Sequence, residues 1–255
     1  RISTNFDLLY DHPETIAKLR AAILQLAVQG KLVPQDPNDE PASALLERIR
    51  AEKERLVKGK KIRRSKPLIA LDESDIHYYA PPGWIWLRLG ELIHISSGDF
   101  LPSTKMAKNG SIPVYGGNGI TGYHDQSNVT EPTLVIGRVG FYCGSIHLTP
   151  DQAWVTDNAF ITDFPEEQVS RAFLYWLLRG TDLRQDDSAT AQPVISGRKI
   201  NPLHICLPPL EEQHRIVAKV DQLMELCDEL ETKLNQAQKR SERLMEATVQ
   251  QLLVA

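Results

Sequence analysis

The 255 residues include only three cysteines, and Cys143, Cys206 and Cys227 lie far apart with no Cys-x-x-Cys pair. That scarcity excludes a disulfide framework and a zinc ribbon, and it fits reduced thiols in a cytoplasmic protein. The seven histidines are equally scattered, with no His-Glu-x-x-His, so no metal site is expected. No apolar run approaches the ~20 residues of a membrane span, and the N-terminus lacks the basic-then-apolar order of a signal segment. Catalytic motifs are missing too. There is no Walker loop, no Gly-x-Ser-x-Gly elbow and no Asn-Pro-Pro-Tyr or Asp-Pro-Pro-Tyr, and Pro150-Asp151 is not followed by acid-x-Lys.

One further absence is local. Beyond Pro209 the chain holds neither glycine nor proline, so the helix opened by Leu207-Pro208-Pro209-Leu210-Glu211-Glu212-Gln213 is expected to run to residue 255. Some 45 residues at 1.5 Å each give about 65 to 70 Å, too long to sit inside a chain of this size. Ile216, Val220, Leu223, Cys227, Leu230, Leu234 and Ala237 are spaced 4-3-4-3-4-3, the seam of a helix that pairs with another helix. The pairing helix is expected in a second copy or a partner, through Ile216, Val220, Leu223, Cys227, Leu230 and Leu234. The alternative is a long amphipathic helix folded back on its own domain. Ser241 and Thr248 interrupt the seam, and Leu244, Leu252 and Leu253 indicate a stripe that drifts.

What is present elsewhere falls into two textures. Residues 13–29 predict a helix, with Pro13 suited to its first position, Gly30 to the residue past its end, and Ile16, Leu19, Ile23, Leu26 and Ala27 on one face. Residues 42–58 predict a second helix, basic and carrying few apolar residues (Leu45, Leu46, Ile49, Leu56), so it is expected to pack lightly. Residues 59–83 read as extended. Between residues 42 and 66 ten Lys/Arg stand against three Asp/Glu, whereas residues 67–83 carry three acids and no Lys or Arg. Those cations suit a solvated helix face, or a contact to phosphate or a partner.

From Trp84 onward short apolar runs alternate with glycine. Residues 84–89, 112–115, 133–136, 145–148, 154–161 and 204–207 predict strands, and 165–179 a helix with Val169, Ala172, Phe173, Trp176 and Leu177 inward. The expected class is α+β: a mixed α/β domain of short strands and Gly-rich loops, with N-terminal helices and a long C-terminal coiled-coil helix. The boundaries read as residues 1–83, 84–208 and 209–255.

Gly117-Asn118-Gly119-Ile120-Thr121-Gly122 matches the dinucleotide fingerprint Gly-x-Gly-x-x-Gly, but that chemistry needs a helix N-terminus directly afterwards. Tyr123-His124-Asp125 and then Pro132 give none. Residues 114–125 instead suggest one exposed hairpin loop, in which Asn118, Thr121, Tyr123 and His124 offer donors and acceptors suited to base edges. A structural turn satisfying its own backbone is the alternative. Arg138 and Tyr142 lie in a second glycine-rich stretch, Ile136-Gly137-Arg138-Val139-Gly140-Phe141-Tyr142-Cys143-Gly144. Arg138 could read guanine, clamp phosphate, or pair with Asp157 inside the domain. Gln192, Arg198 and Lys199 belong to a polar loop ending in two adjacent cations, and Lys105 to another loop.

Taken together, these pieces resemble the specificity subunit of type I restriction-modification enzymes. The resemblance rests on Leu24-Gln25-Leu26-Ala27-Val28-Gln29-Gly30-Lys31-Leu32-Val33-Pro34, Pro-Val-Tyr-Gly-Gly-Asn-Gly at 113–119, Gly137-Arg138-Val139-Gly140, Val155-Thr156-Asp157-Asn158, and Leu207-Pro208-Pro209-Leu210-Glu211-Glu212-Gln213, in that order. It implies a target recognition domain that reads half of a bipartite double-stranded DNA site, on helices that set spacing and bind a methyltransferase (modification) subunit. Restriction subunits would join through that complex. Lys105, Asn118, Thr121, Tyr123, His124, Arg138, Tyr142, Gln192, Arg198 and Lys199 would then contact DNA. The chain itself would be non-catalytic and hold no cofactor; S-adenosylmethionine, ATP and Mg would belong to partner subunits. Members of that family commonly carry two recognition domains, and this sequence shows one. A homodimer through the long helix would restore the symmetry. A competing reading is a protein adaptor, because residues 84–208 hold nine Lys/Arg against twelve Asp/Glu.

Overall fold

The computed structural model describes residues 13–59, 78–184 and 193–254. Two helices come first, α1 (Pro13–Val28) and α2 (Ala42–Lys58). A strand-rich region follows, with β1 (Ile85–Arg88), α3 (Leu89–Leu92), β2 (His94–Ser97), β3 (Ile112–Gly116), β4 (Gly119–His124), β5 (Leu134–Gly137) and β6 (Ile146–Leu148). It continues through β7 (Trp154–Val155), β8 (Ala159–Asp163), α4 (Arg171–Gly180), α5 (Gly197–Ile200) and β9 (His204–Leu207), and α6 (Leu210–Val254) closes the chain. This is the expected α+β class.

The strands form three small sheets, β1-β9, β2-β8-β5-β6 and β4-β3-β7. All pairings are antiparallel except β3 with β7. The β1–β9 pair aligns Ile85 with Leu207 and so brings the start of the strand region to the start of α6. One hydrophobic core draws on α1, α2, the two sheets containing β1 and β5, α4 and the first half of α6. A smaller cluster of Tyr115, Val129, Val135, Ala153, Val155 and Ala159 lies under the third sheet.

Several expectations need correction. The second helix packs firmly, because Ala42, Leu45, Leu46 and Ile49 fall at i, i+3, i+4 and i+7 and are all buried. Its position in a stripe, not the number of apolar residues, sets the burial. The run 154–161 divides into β7 and β8 around a turn at Asp157-Asn158. The helix expected from residue 165 starts at Arg171, where Ser170 caps it by accepting from the Phe173 N–H. Its buried face is Phe173, Leu174, Leu177 and Leu178, with Trp176 half-buried and Ala172 exposed.

The basic helix also turns out to spend its cations within the chain. Arg48 pairs with Glu40, Arg50 with Glu91 and Arg55 with Glu52, each at 2.6 Å. Lys53 donates to the carbonyls of Gly90 at 2.7 Å and Ile93 at 3.0 Å, fastening α2 to α3. Burial lowers its pKa from the usual lysine value to about 8. Lys60, Lys61, Arg63, Arg64 and Lys66, and most of the stretch expected to be extended, lie outside the described residues.

The long helix is continuous over 45 residues, yet its seam has a partner in its own chain. Ile216, Val220 and Cys227 are buried in the common core, and Leu223, Leu230 and Leu234 pack against it. Arg20 on α1 reaches Asp228 and Glu231 at 2.6 Å each, while the end of α1 meets the start of α6, so the two helices run antiparallel. Of the six seam positions expected to meet a second copy or a partner, three are thus buried in this chain's own core and three are half-buried against it, where the long helix contacts α1 and α4; the spacing 4-3-4-3 signals a partner helix without saying whose. Beyond Leu234 every residue with a described side chain is exposed.

Candidate nucleic-acid interface

Two groups of residues stand out, one that joins the parts of the molecule and one that faces solvent. The joint is built from the motif at the head of α6. Glu212 and Gln213 are 1% and 0% exposed, unusual for such polar side chains. Glu212 accepts from the Trp84 indole N–H at 2.9 Å and from Gln35 Nε2 at 3.1 Å. Gln213 accepts from the Ser170 N–H at 2.9 Å and donates to the Pro208 carbonyl at 3.2 Å. Arg215 pairs with Asp39 at 2.6 Å. Burial raises the Glu212 carboxyl above its usual value against the opposing pull of Trp84 and Gln35.

Gly30 completes the joint. Its φ is +66°, and a Cβ there would lie 2.4 Å from Pro81 Cγ and 3.0 Å from the Trp84 ring. Two of the motifs that carry the family resemblance, at residues 24–34 and 207–213, thus meet over Trp84. Their role is to fix the strand region onto the helices.

The solvent-facing group sits where backbone segments cross at glycines. A Cβ on Gly117 would lie 2.1 Å from the Val139 carbonyl, and one on Gly137 would lie 2.1 Å from the Gly117 carbonyl. Only glycine permits approach that close. Ser145 Oγ donates to the Gly117 carbonyl at 3.2 Å, the Arg138 N–H to the Asn158 carbonyl at 2.9 Å, and the Gly140 N–H to the Pro193 carbonyl at 3.1 Å. The Ile195 N–H donates to the Arg138 carbonyl at 2.9 Å. The turn between β3 and β4, the turn after β5, the turn after β7 and the segment from Pro193 are stitched into one unit.

Most of the expected contact residues project from this unit or beside it. Asn118 is exposed at the β3–β4 turn. Thr121 and Tyr123 are exposed along β4, an edge strand, although the Thr121 hydroxyl also donates to the Val114 carbonyl at 3.3 Å. Lys105 is exposed on a single 3-10 turn, Ser103–Lys105, whose continuation pairs with β4 through the Ala107 N–H and the Tyr123 carbonyl at 3.0 Å. Tyr142 is 57% exposed on the turn after β5.

Others are held back. His124 packs edge-on to Trp154 with ring centroids 5.4 Å apart. Arg138 lies over the Phe160 ring at 5.3 Å and reaches Asp157 through its backbone carbonyl, at 3.4 Å, not its carboxylate. His124 Nδ1 and Arg138 Nε are buried with no hydrogen-bond partner. Arg198 and Lys199 sit on α5, the first exposed and the second half-buried. Gln192 lies outside the described residues.

The Gly-x-Gly-x-x-Gly stretch supplies the β3–β4 turn and the first half of β4, so no helix follows it. Sequence reasoning missed Phe141, 76% exposed, and Arg184, which donates to the Phe141 carbonyl at 3.2 Å. Two adjacent aromatics between Gly140 and Gly144 were the available signal. Nearby, burial and then the Arg179 charge hold His147 below its ordinary value, so its imidazole, 3.1 Å from Ser145 Oγ, is neutral at neutral pH. All three cysteines are buried and in no disulfide, and no described helix is long and apolar enough to cross a membrane.

Comparison with known proteins agrees with this architecture. Residues 81–239 match the family described as "Type I restriction modification DNA specificity domain". The chain is 30% identical over 278 aligned positions to the type I restriction enzyme EcoEI specificity subunit and 32% identical to the EcoAI specificity subunit, both from Escherichia coli. Each alignment covers 97% of this chain and 47% or 46% of the relative, so the chain spans about half the length of these relatives. A solved chain from a study of the complex assembly and conformational transition of the type I R-M system superposes with a TM-score of 0.54 at 25% identity, over 81% of this chain and 55% of that one. With the family match extending from the joint at Trp84 through the first two thirds of α6, the chain belongs to the type I restriction-modification DNA specificity domain family.

Proposed function

We propose that this chain reads one half of a bipartite double-stranded DNA site and presents that site to a methyltransferase subunit and, through it, a restriction subunit. Residues 84–208 would be the reading unit and Leu210–Val254 the spacer. The observation that carries this is the glycine-stitched unit, which fixes four backbone segments while leaving Asn118, Tyr123 and Tyr142 exposed. Base readout needs donors and acceptors held in place before the duplex arrives, and exposed side chains on an immobile base meet that need. Lys105 beside β4, with Arg198 and Lys199, would take phosphates.

Chemistry would then belong to the partners, with S-adenosylmethionine, ATP and Mg bound there and none of them here. We place the contact between two copies at the far end of α6, where Leu244, Met245, Val249, Leu252 and Leu253 are 54 to 80% exposed. Met245, Val249 and Leu252 share one helical face, and a second antiparallel helix would cover it.

The test uses the full chain mixed with its neighbouring modification subunit and challenged with a randomised duplex library. Enrichment of one interrupted motif supports the reading. Binding that falls steeply with salt but enriches no sequence would contradict it.

A further inference from the structure

The turn after β5 carries the most exposed aromatic pair on the described surface of the strand region. Phe141 is 76% exposed and Tyr142 57%, with ring centroids 5.0 Å apart and planes 86° apart. Beyond their contact with each other, aromatic side chains this bare gain little from packing in the free protein. The backbone beneath them is nevertheless held tightly. The Gly137 N–H donates to the Ser145 carbonyl at 2.8 Å, the Gly144 N–H to the Gly137 carbonyl at 2.7 Å and the Cys143 N–H to the Gly140 carbonyl at 2.9 Å. Gly140 and Gly144, at φ +100° and +87°, let the chain double back, and Cys143 is sunk into the core between them.

The flanks are cationic. Arg184 donates to the Phe141 carbonyl, and Arg179 and Arg184 line the same cleft of about 540 Å³ as Phe141 and Tyr142. Arg179 stacks over Tyr175 and Trp176 at 5.2 and 5.3 Å. The carboxylate on that cleft, Asp182, already accepts from the Arg184 backbone N–H at 2.9 Å. A rigid apolar tip between guanidinium groups fits a ring that enters a base stack while the cations meet the flanking phosphates.

We infer that Phe141 is a wedge that inserts between base pairs of the DNA half-site, with Tyr142 bracing it and offering its hydroxyl to the groove. This rests on the DNA-reading function proposed above. The perpendicular rings give the division of labour, because only one of them can lie parallel to the base planes, and Phe141 is the more exposed. Unstacking at one step would make recognition depend on how easily that step deforms, at positions with no hydrogen-bonded contact.

The test uses the full chain in complex with its modification subunit and end-labelled duplexes carrying 2-aminopurine at successive half-site positions, omitting the methylated adenine. Wild-type complex is expected to brighten the probe several-fold at one step. Phe141→Ala should return that signal to the free-duplex level and weaken binding by about ten- to a hundred-fold, with the melting temperature unchanged, while Phe141→Trp and Tyr142→Phe keep the signal. Bound wild-type duplex that brightens at no position, or brightening that survives in Phe141→Ala, overturns the wedge. Loss of the modification subunit from Phe141→Ala would make the ring a protein anchor and also overturn it. A wild-type complex that binds no duplex removes the DNA-reading function and the wedge together.

Discussion

Trp84 donates its indole N–H to the buried carboxylate of Glu212 at 2.9 Å, joining the first residue of the strand region's core to the first turn of the long helix. The same carboxylate holds Gln35 at 3.1 Å. Replacing Glu212 with leucine would strand the Trp84 indole N–H away from water, at about 1 to 3 kcal/mol for the unsatisfied group, while Gln35 Nε2 keeps the Gly30 carbonyl at 2.8 Å. Urea unfolding should show Glu212→Leu destabilised by several times as much as Glu211→Leu, because Glu211 is exposed.

Glu212 also sets a pH dependence. Its folded-state carboxyl is raised above the unfolded value, so the folded protein keeps that proton to higher pH than the unfolded chain does. The contribution is fully present below the unfolded pKa and is lost as pH rises through the folded one. Glu212→Gln keeps an acceptor for Trp84 and cannot titrate. The difference in stability between wild type and Glu212→Gln should therefore shift against wild type as pH climbs from about 4.5, the ordinary glutamate range; a difference that does not vary with pH would refute this.

Lys53 acts in the opposite window. With its folded pKa lowered to about 8, the folded chain gives up a proton that the unfolded chain still holds, so this group's contribution rises with pH between about 8 and the ordinary lysine value. Lys53→Met should abolish that rise in thermal melts. It should also loosen α2 from α3, since the Gly90 and Ile93 carbonyls lose their donor.

At Gly30 the positive φ and the 2.4 Å approach to Pro81 both exclude a side chain. Gly30→Ala is expected to cost about 2 kcal/mol or more. Gly59→Ala, at φ −75° on the end of α2, is the control and should change stability little.

Along α6 two substitutions of the same kind should behave differently. Val220→Lys puts a charge into a site that is 0% exposed and should unfold the chain. Leu252→Lys, at a residue 74% exposed, should leave the fold intact and convert a dimer to monomers in light scattering. A wild-type chain that is monomeric at tens of micromolar would contradict the second copy.

The long helix was legible because nothing in residues 210–255 can break a helix, and its seam was legible from spacing. Which helix fills the seam was not, because α1 carries the same apolar periodicity as any partner would. The chain reversal at 114–125 was visible from its glycines, but only as a loop: β4 was not legible because it contains two glycines, nor was β2, since His94–Ser97 shows no alternation. Among site residues, Asn118 and Tyr142 could be read as exposed from turn chemistry. Arg138 could not, since its seat over Phe160 depends on β8 pairing with β5. The structural use of Glu212 and Gln213 was hidden for the same reason, as Trp84, Gln35 and Ser170, which they bind, lie 43 or more residues away.

The most direct test of DNA reading is single-molecule sequencing of methyladenine in host DNA with and without this chain. Methylation at one interrupted motif that disappears on deletion, and that is palindromic if two copies act together, is the predicted result. Methylation left unchanged by deletion, with the modification subunit still present, would contradict the account.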